Sequence, residues 1–284
     1  MKAPPFAYIR PTSLDEIFPL LREYGDDARI LAGGQTLLAT LNMRLSEPRL
    51  LIDIKAIDGL RGITVMEDCI SIGAMTRHSE IEDSGLVASH LPLLAMAAPH
   101  VAHRAIRNQG TLGGSLAFAD PAAEWPACVV ALDATVVLVG PNGERRVKAA
   151  DFFLDLYTTV MEPDELIKAC EFALASSSSR FVFLELARRH GDYAIVGLAA
   201  AARIDSGRLT ALRLVFLGTG NTPIRARAVE EAVVGKVVDA QTLAQAQAAL
   251  AGELFPFADL YNSAQTKLHL AGVLMGRALR QLAA

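Results

Sequence analysis

The sequence predicts an α+β fold built in three successive segments, and three observations carry that reading. Short apolar runs with strand character are interspersed with helical patterns rather than following a strict strand–helix alternation. Three hairpin patterns stand out, each with turn residues between two strand-like runs. One low-complexity patch, ASSSSR at 175–180, separates the first two segments from the third. The 284 residues, 52% hydrophobic and 20% charged, suit a folded chain with two or three modest cores.

In chain order, TSLDEIFPLLREYG places Ser13 and Glu16 at capping-box spacing and stops at Gly25, which predicts a helix. ARIL reads as a strand running directly into AGGQT. LLATLNMRL then reads as a helix, and RLLIDI as a strand closing a small β-α unit near residue 55. GITVMEDCISIG predicts a hairpin turning at Glu67-Asp68, and helical patterns follow as far as HRAIRN. GTLGGS is too rich in glycine for a helix or strand and reads as a loop. A helix near AAEWPACVVALD comes next, then a hairpin over ATVVLVGPNGERRVKA with Asn142-Gly143 at its turn. DELIKACEFAL reads as a strand. Past the low-complexity patch, YAIVGLAAAARID and RLTALRLVFLG form a long apolar hairpin around Ser206-Gly207. Two or three helices end the chain, the last over AQTKLHLAGVLMGRALRQL.

Several function classes are disfavoured. The net charge is −4 with no block of Lys or Arg, against nucleic acid or an anionic membrane as main partner. Apolar runs such as AIVGLAAAA fall well short of the ~20 residues of a membrane span. Cys69, Cys128 and Cys170 are scattered and odd in number, which fits a reducing cytoplasm rather than a disulfide framework. MKAPPFAYIRP lacks the apolar core of a secretory leader.

Two glycine segments, AGGQT at 32–36 and GTLGGS at 110–115, carry the strongest chemical signal. Glycine removes Cβ and permits positive φ, so successive N–H groups converge on an anion. Thr36 and Ser115 add hydroxyls, and a diphosphate needs donors on both sides. The sequence has no GxGxxG between strand and helix, no GxxxxGK[ST] and no GxSxG, so the usual dinucleotide, P-loop and nucleophile-elbow readings are unsupported. HVAH places His100 and His103 one helical turn apart, but no further ligand lies near, and polar residues bordering a cleft are the better reading. Asp120 and Glu124 suit an acid/base pair or, more simply, an Asp120 that accepts hydrogen bonds from a polyol. ARRHGDYAIVG sets Tyr193 just after a turn, where core packing and ligand contact are equally good readings.

ILAGGQTLL, RNQGTLGGSLAFADPAAEWP and RRHGDYAIVG together resemble, in order and spacing, the FAD-binding medium subunits of molybdenum hydroxylases, the xanthine dehydrogenase and carbon monoxide dehydrogenase superfamily. The resemblance implies a two-subdomain PCMH-type FAD-binding domain over 1–175, with subdomains of about 1–58 and 59–175. A C-terminal α+β domain of the CO dehydrogenase flavoprotein type would occupy 179–284. It implies that Leu31, Ala32, Gly33, Gly34, Gln35 and Thr36, with Thr111, Leu112, Gly113, Gly114 and Ser115, hold the FAD diphosphate through backbone amides and hydroxyls. Asp120 would meet the ribityl or ribose hydroxyls, Ile167 the isoalloxazine, and Tyr193 a face of that ring. Gln35 stands where some members carry His, Leu112 where Ile is more usual, and Glu185 where some carry a basic residue. The three scattered cysteines also argue against the extra cluster of benzoyl-CoA-type reductases.

The implied role is an electron-transfer oxidoreductase subunit with no catalytic acid, base or metal ligand of its own. Electrons would come from [2Fe–2S] clusters in a small partner and a molybdenum–pterin cofactor in a large one, in a dimer of heterotrimers. RNQGTLGGSLAFADPAAEWP is more similar to medium subunits of N-heteroaromatic hydroxylases (quinoline, nicotine or caffeine type) than to carbon monoxide dehydrogenase. The competing readings are a carbon monoxide, aldehyde or xanthine dehydrogenase subunit, a standalone flavin oxidase, and a flavin-free assembly subunit.

Overall fold

The fold follows from where the apolar periods place each element, traced here on a computed structural model that describes residues 2–284. The chain opens on β1 (Ala7–Ile9), then α1 (Ile17–Tyr24), β2 (Ala28–Leu31), α2 (Leu37–Asn42) and β3 (Leu50–Asp53). β3 lies between β1 and β2 and is parallel to both. Parallel neighbours need crossovers, which α1 and α2 supply. Ile17, Leu21, Leu50 and Ile52 form the core of this unit. The expected capping box does not form. Thr12 and Ser13 hydroxyls both donate to the Glu16 carboxylate, at 2.9 and 3.0 Å, so the helix starts only after Glu16.

The second segment begins with the hairpin of β4 (Ile63–Val65) and β5 (Cys69–Gly73). Short helices follow: α3 (His78–Glu82), α4 (Gly85–His90), α5 (Pro92–Ala97) and α6 (Arg104–Arg107). Next comes α7 (Leu112–Phe118), which overturns the expectation of a glycine loop. Gly113 and Gly114 sit in its first turn, and Thr111 caps it, its Oγ1 accepting from the Gly114 amide at 3.2 Å. Glycine costs a helix about 1 kcal/mol relative to alanine; here the cap and the buried Leu112 and Leu116 outweigh that cost. In α8 (Glu124–Ala131) every residue is buried, as befits a helix enclosed on all sides.

β6 (Thr135–Gly140) and β7 (Gly143–Lys148) form the next hairpin. Gly140 pairs with Gly143, so the two turn residues are Pro141-Asn142, one position earlier than expected. A small ribbon of β8 (Phe153–Asp155) and β9 (Thr158–Thr159) precedes β10 (Leu166–Ala173). β10 inserts between β5 and β6, giving an antiparallel sheet in the order β4-β5-β10-β6-β7.

The third segment is a sheet of β11 (Ser179–Ala187), β12 (Ala194–Asp205), β13 (Arg208–Leu217) and β14 (Ile224–Arg225), antiparallel in sequence order. Ser206 and Gly207 both have positive φ, 49° and 73°, as a two-residue hairpin turn of matching twist requires. Helices α9 (Arg227–Val233), α10 (Ala240–Glu253) and α11 (Ala264–Ala283) complete it. α11 covers one face of the sheet, over Val182, Val196 and Leu198. The other face packs on α8, so Phe183, Ala199, Val215 and Leu217 belong to the core of the second segment.

Candidate functional site

All three segments contribute to one cavity of about 660 Å³, within the usual range for small-molecule sites. Ala32, Gly33, Gly34, Gln35, Thr36, Thr111, Gly113, Gly114, Ser115, Asp120, Ile167 and Tyr193 all line it. Leu31 and Leu112 do not; both side chains are buried in the core beside it.

The two glycine segments are not equivalent. Between β2 and α2 the amides of Gly33, Gly34, Gln35 and Thr36 find no acceptor among the described residues. Gly34 has φ of 73°, the left-handed turn that gathers successive N–H groups toward an anion. The second segment has already used the amides of Leu112 to Ser115. Leu112 donates to Thr76 O at 3.0 Å, Gly113 to Ala74 O at 2.8 Å, and Ser115 to Thr111 O at 3.1 Å, while Gly114 is capped. The Thr111 amide, which has no acceptor among the described residues, the Ser115 hydroxyl and the space beside Gly114 are what this segment leaves toward the cavity.

The missing side chains have a second cause besides a ligand. A Cβ on Gly33 would lie 2.4 Å from Gln109 O and 2.7 Å from Gly110 Cα, and one on Gly113 would lie 2.5 Å from Ala74 Cβ. At these positions backbone meets protein. Gly114 differs: beyond Thr111 Oγ1 at 2.9 Å, the nearest atom is Ala32 Cβ at 3.6 Å.

Asp120 follows Ala119, whose φ of 53° ends α7. Its Oδ1 accepts from the Ala122 amide at 2.9 Å. Burial raises its pKa, and that amide partly offsets the rise. Ile167 is aimed at the cavity beside a bulge between Ile167 and Ala169, where the pairing of β10 with β6 slips. Tyr193 is 73% exposed on the cavity rim, so it is not a core residue.

Other lining residues escaped the sequence reading. Tyr157, with φ of 52°, sits in the β8–β9 turn with its ring 4.9 Å from that of Phe118. No pattern in LDLYTTV signals this placement. His78 lines the inner wall, where the Trp125 indole N–H donates to its Nδ1 at 2.9 Å. Burial, then the nearby Arg107 charge, brings its pKa down to about 4, so the ring is neutral. His100 and His103 do not share a helix: His100 ends a short 3-10 turn, Ala102 has φ of 45°, and His103 caps α6. Among the described residues no group of three or more His, Cys, Asp or Glu side chains is placed to hold a metal ion.

Sequence comparison places this architecture. The family described as FAD binding domain in molybdopterin dehydrogenase matches residues 4–172, and the CO dehydrogenase flavoprotein C-terminal domain matches 181–282. The chain belongs to the FAD-binding medium subunits of the xanthine and carbon monoxide dehydrogenase family. It is 38% identical to the 6-hydroxypseudooxynicotine dehydrogenase complex subunit alpha of Paenarthrobacter nicotinovorans, over 98% of this chain and 95% of that one. It superposes on the carbon monoxide dehydrogenase of Hydrogenophaga pseudoflava with a TM-score of 0.97 at 36% identity, covering 99% of this chain and 98% of that one. For quinoline 2-oxidoreductase of Pseudomonas putida 86 the TM-score is 0.94 at 37% identity, covering 100% and 98%. The chain is thus an FAD-dependent oxidoreductase subunit of the molybdenum hydroxylase type. No helix among the described residues is long and apolar enough to cross a membrane.

Proposed function

We propose that this subunit holds FAD as the exit point for electrons in a molybdenum hydroxylase, receiving them from [2Fe–2S] clusters of a small partner and passing them to an external acceptor. The molybdenum–pterin cofactor and the substrate pocket belong to a large partner. The observation that carries this reading is the run of amides at Gly33–Thr36 with no acceptor among the described residues, in a cavity also lined by Ser115, Tyr157, Ile167 and Tyr193. Amide and hydroxyl donors together with apolar and aromatic lining suit a ligand that joins a diphosphate to a ring system. The amides and the Thr36 and Ser115 hydroxyls would hold the diphosphate. The Asp120 carboxylate would accept from the ribityl chain, and Ile167 and Tyr193 would flank the ring. Bound FAD supplies the redox chemistry; the protein supplies binding, orientation and tuning.

The relatives that act on nicotine-type and quinoline compounds support an N-heteroaromatic substrate for the complex. Exposed Phe255, Phe257, Leu260 and Tyr261 offer apolar surface for partner subunits, with two heterotrimers forming a twofold assembly. The division at 58 and at 175–179 follows the sheets described above, and the three free thiols suit the cytoplasm.

Native purification, counting co-eluting chains and measuring flavin, iron and molybdenum, tests the assignment. Two co-purifying subunits carrying iron and molybdenum are expected, and the isolated chain is expected to bind FAD without substrate-dependent bleaching. Bleaching of the isolated, metal-free chain by an N-heteroaromatic compound would restore the standalone oxidase, and a colourless native complex the assembly subunit. Reduction of the complex by carbon monoxide alone would reassign the substrate. For Tyr193→Ala, altered flavin absorption or a changed reoxidation rate is expected with partner binding intact. The exposed ring makes loss of folding an unsuitable explanation, and a variant identical to wild type would remove Tyr193 from the flavin site.

A further inference from the structure

Two features of the cavity wall remain unexplained: a glycine at 110 that no positive φ demands, and the buried His78 beside it. Arg77 and Thr111 form an antiparallel bridge, and the His78 amide donates to Gly110 O at 2.9 Å, so His78 and Gly110 stand opposite each other. Opposed residues of paired chains project their side chains to one face. A Cβ on Gly110 would lie 2.7 Å from both Nε2 and Cδ2 of His78. The imidazole therefore occupies the space that any other residue at 110 would fill. Gly110 also touches the first glycine segment, since a Cβ on Gly33 would lie 2.7 Å from Gly110 Cα. The imidazole thus covers the residue that joins both sets of free amides: Gly33–Thr36 against it, and Thr111 next to it in the chain.

The partner of the ring fixes its chemistry. The Trp125 indole can only donate, and it does so to Nδ1 at 2.9 Å. Nδ1 must then offer a lone pair, and the ring proton sits on Nε2. Protonating both nitrogens would set two N–H groups against each other, and burial opposes it as well. His78 is 6% exposed and Trp125 wholly buried, so the ring cannot turn to solvent for another partner. Nε2–H finds no acceptor among the described residues. Ile106 O, 3.4 Å from the same Cβ position, already accepts from the Gln109 and Gly110 amides at 3.0 and 2.8 Å. Nor is Nε2 walled in: the enclosed, unpartnered side-chain atoms among the described residues are Glu185 Oε2 and Thr219 Oγ1. His78 lines the cavity, so its donor opens there. A buried donor without an acceptor is destabilising, and this one marks the place of a ligand acceptor.

We propose that His78 is a binding residue of the site, its Nε2–H donating to an oxygen of the ligand's diphosphate, with Trp125 the positioning residue that holds the proton on Nε2. The inference deepens the flavin reading and rests on it for the ligand; the tautomer and the open donor do not depend on it. The diphosphate is the acceptor because Gly110, which the imidazole covers, touches the loop that carries the free amides. A neutral ring supplies a directional dipole rather than a charge. It selects for an acceptor at that point, since a ligand presenting a donor there would face N–H with N–H.

Nitrogen NMR of the FAD-free full chain with labelled histidine should show His78 protonated on Nε2 and bare on Nδ1. The single tryptophan assigns the ring through its indole proton. Adding FAD should shift the Nε2–H resonance, as a new acceptor does, whereas riboflavin, which has no diphosphate, should not. Asparagine sets its Oδ1 near the place of Nδ1, so His78→Asn keeps an acceptor for Trp125 but presents no donor at Nε2. That variant should bind FAD roughly ten- to hundredfold more weakly, the worth of a hydrogen bond to a charged group, with riboflavin affinity unchanged. A purely structural role would weaken both ligands alike. Trp125→Phe should let the proton divide between the two nitrogens, and an unchanged tautomer would strip Trp125 of its positioning role. A proton on Nδ1 in the wild type, an Nε2–H resonance indifferent to FAD or moved equally by riboflavin, or equal losses for both ligands in His78→Asn overturns the proposal. A chain that binds no FAD yet keeps its proton on Nε2 would instead overturn the flavin reading, and the diphosphate contact with it.

Discussion

Gly33→Val is expected to leave the chain unable to retain FAD, because the added atoms would collide with backbone rather than with a side chain that can swing away. The new Cβ alone would stand 2.4 Å from Gln109 O and 2.7 Å from Gly110 Cα. The loop must then lift off the chain before α7, and the amides of Gly33–Thr36 lose their place in the cavity wall. Overpacking costs about 1–3 kcal/mol where neighbours adjust. With backbone on the far side, Gly33 belongs at the upper end, equivalent to roughly a hundredfold loss of flavin affinity. Gly114→Ala is the control: its Cβ meets Thr111 Oγ1 and otherwise open space, so a smaller loss is expected. The flavin-to-protein absorbance ratio after gel filtration decides, and full occupancy in Gly33→Val would remove the loop from the site.

Arg107→Ala should cause the largest loss of stability of any single change at the site's periphery. Arg107 is 7% exposed; Nε and Nη2 grip both oxygens of Glu82 at 2.8 and 2.9 Å. Nη1 reaches the carbonyls of Val101 and Ala102 at 3.1 and 2.9 Å, holding the turn whose Ala102 is left-handed. Burial alone would raise the pKa of Glu82, but the bonds from Arg107 and Arg104 outweigh it and hold it below the ordinary carboxylate range. Alanine would orphan the carbonyls and leave Glu82 with Arg104 alone. Breaking a buried pair by removing one partner costs about 3–5 kcal/mol. The urea-unfolding midpoint of the FAD-free chain measures it. Arg107→Lys should recover only a fraction, since an ammonium cannot reproduce the planar fork. A shift below about 0.5 kcal/mol, typical of surface positions, would refute this account.

Legibility in the sequence follows physical periodicity. The strands β2, β3, β5, β6, β10, β12 and β13 announce themselves because buried faces impose apolar runs between turn residues. β1 does not, because its three exposed residues are recruited by the edge of β3 rather than by any pattern of their own. α7 was hidden for a related reason: its helicity is enforced by Thr111 and by burial, against the local preference of Gly113 and Gly114. Within the site, glycines and hydroxyls were visible as types, but which amides remain free depends on Thr76 and Ala74, far away in sequence. Tyr157 reaches the site only through tertiary placement.

The packing of α8 between both halves of the chain has a consequence for how the molecule comes apart. The two family regions end at 172 and begin at 181, a clean break for recombination at the level of the gene. Yet Phe183, Ala199, Val215 and Leu217 complete the same core as Trp125 and Cys128. The Gly218 amide also donates to Pro121 O at 2.8 Å, beside Asp120. Modules that share an interior melt as one cooperative unit, because neither can open without exposing the other's apolar surface. The amides of β13 and of the Asp120–Glu124 stretch are therefore expected to exchange with deuterium as a single protected block, and truncation at the linker to expose a wound on each side rather than release two folded pieces.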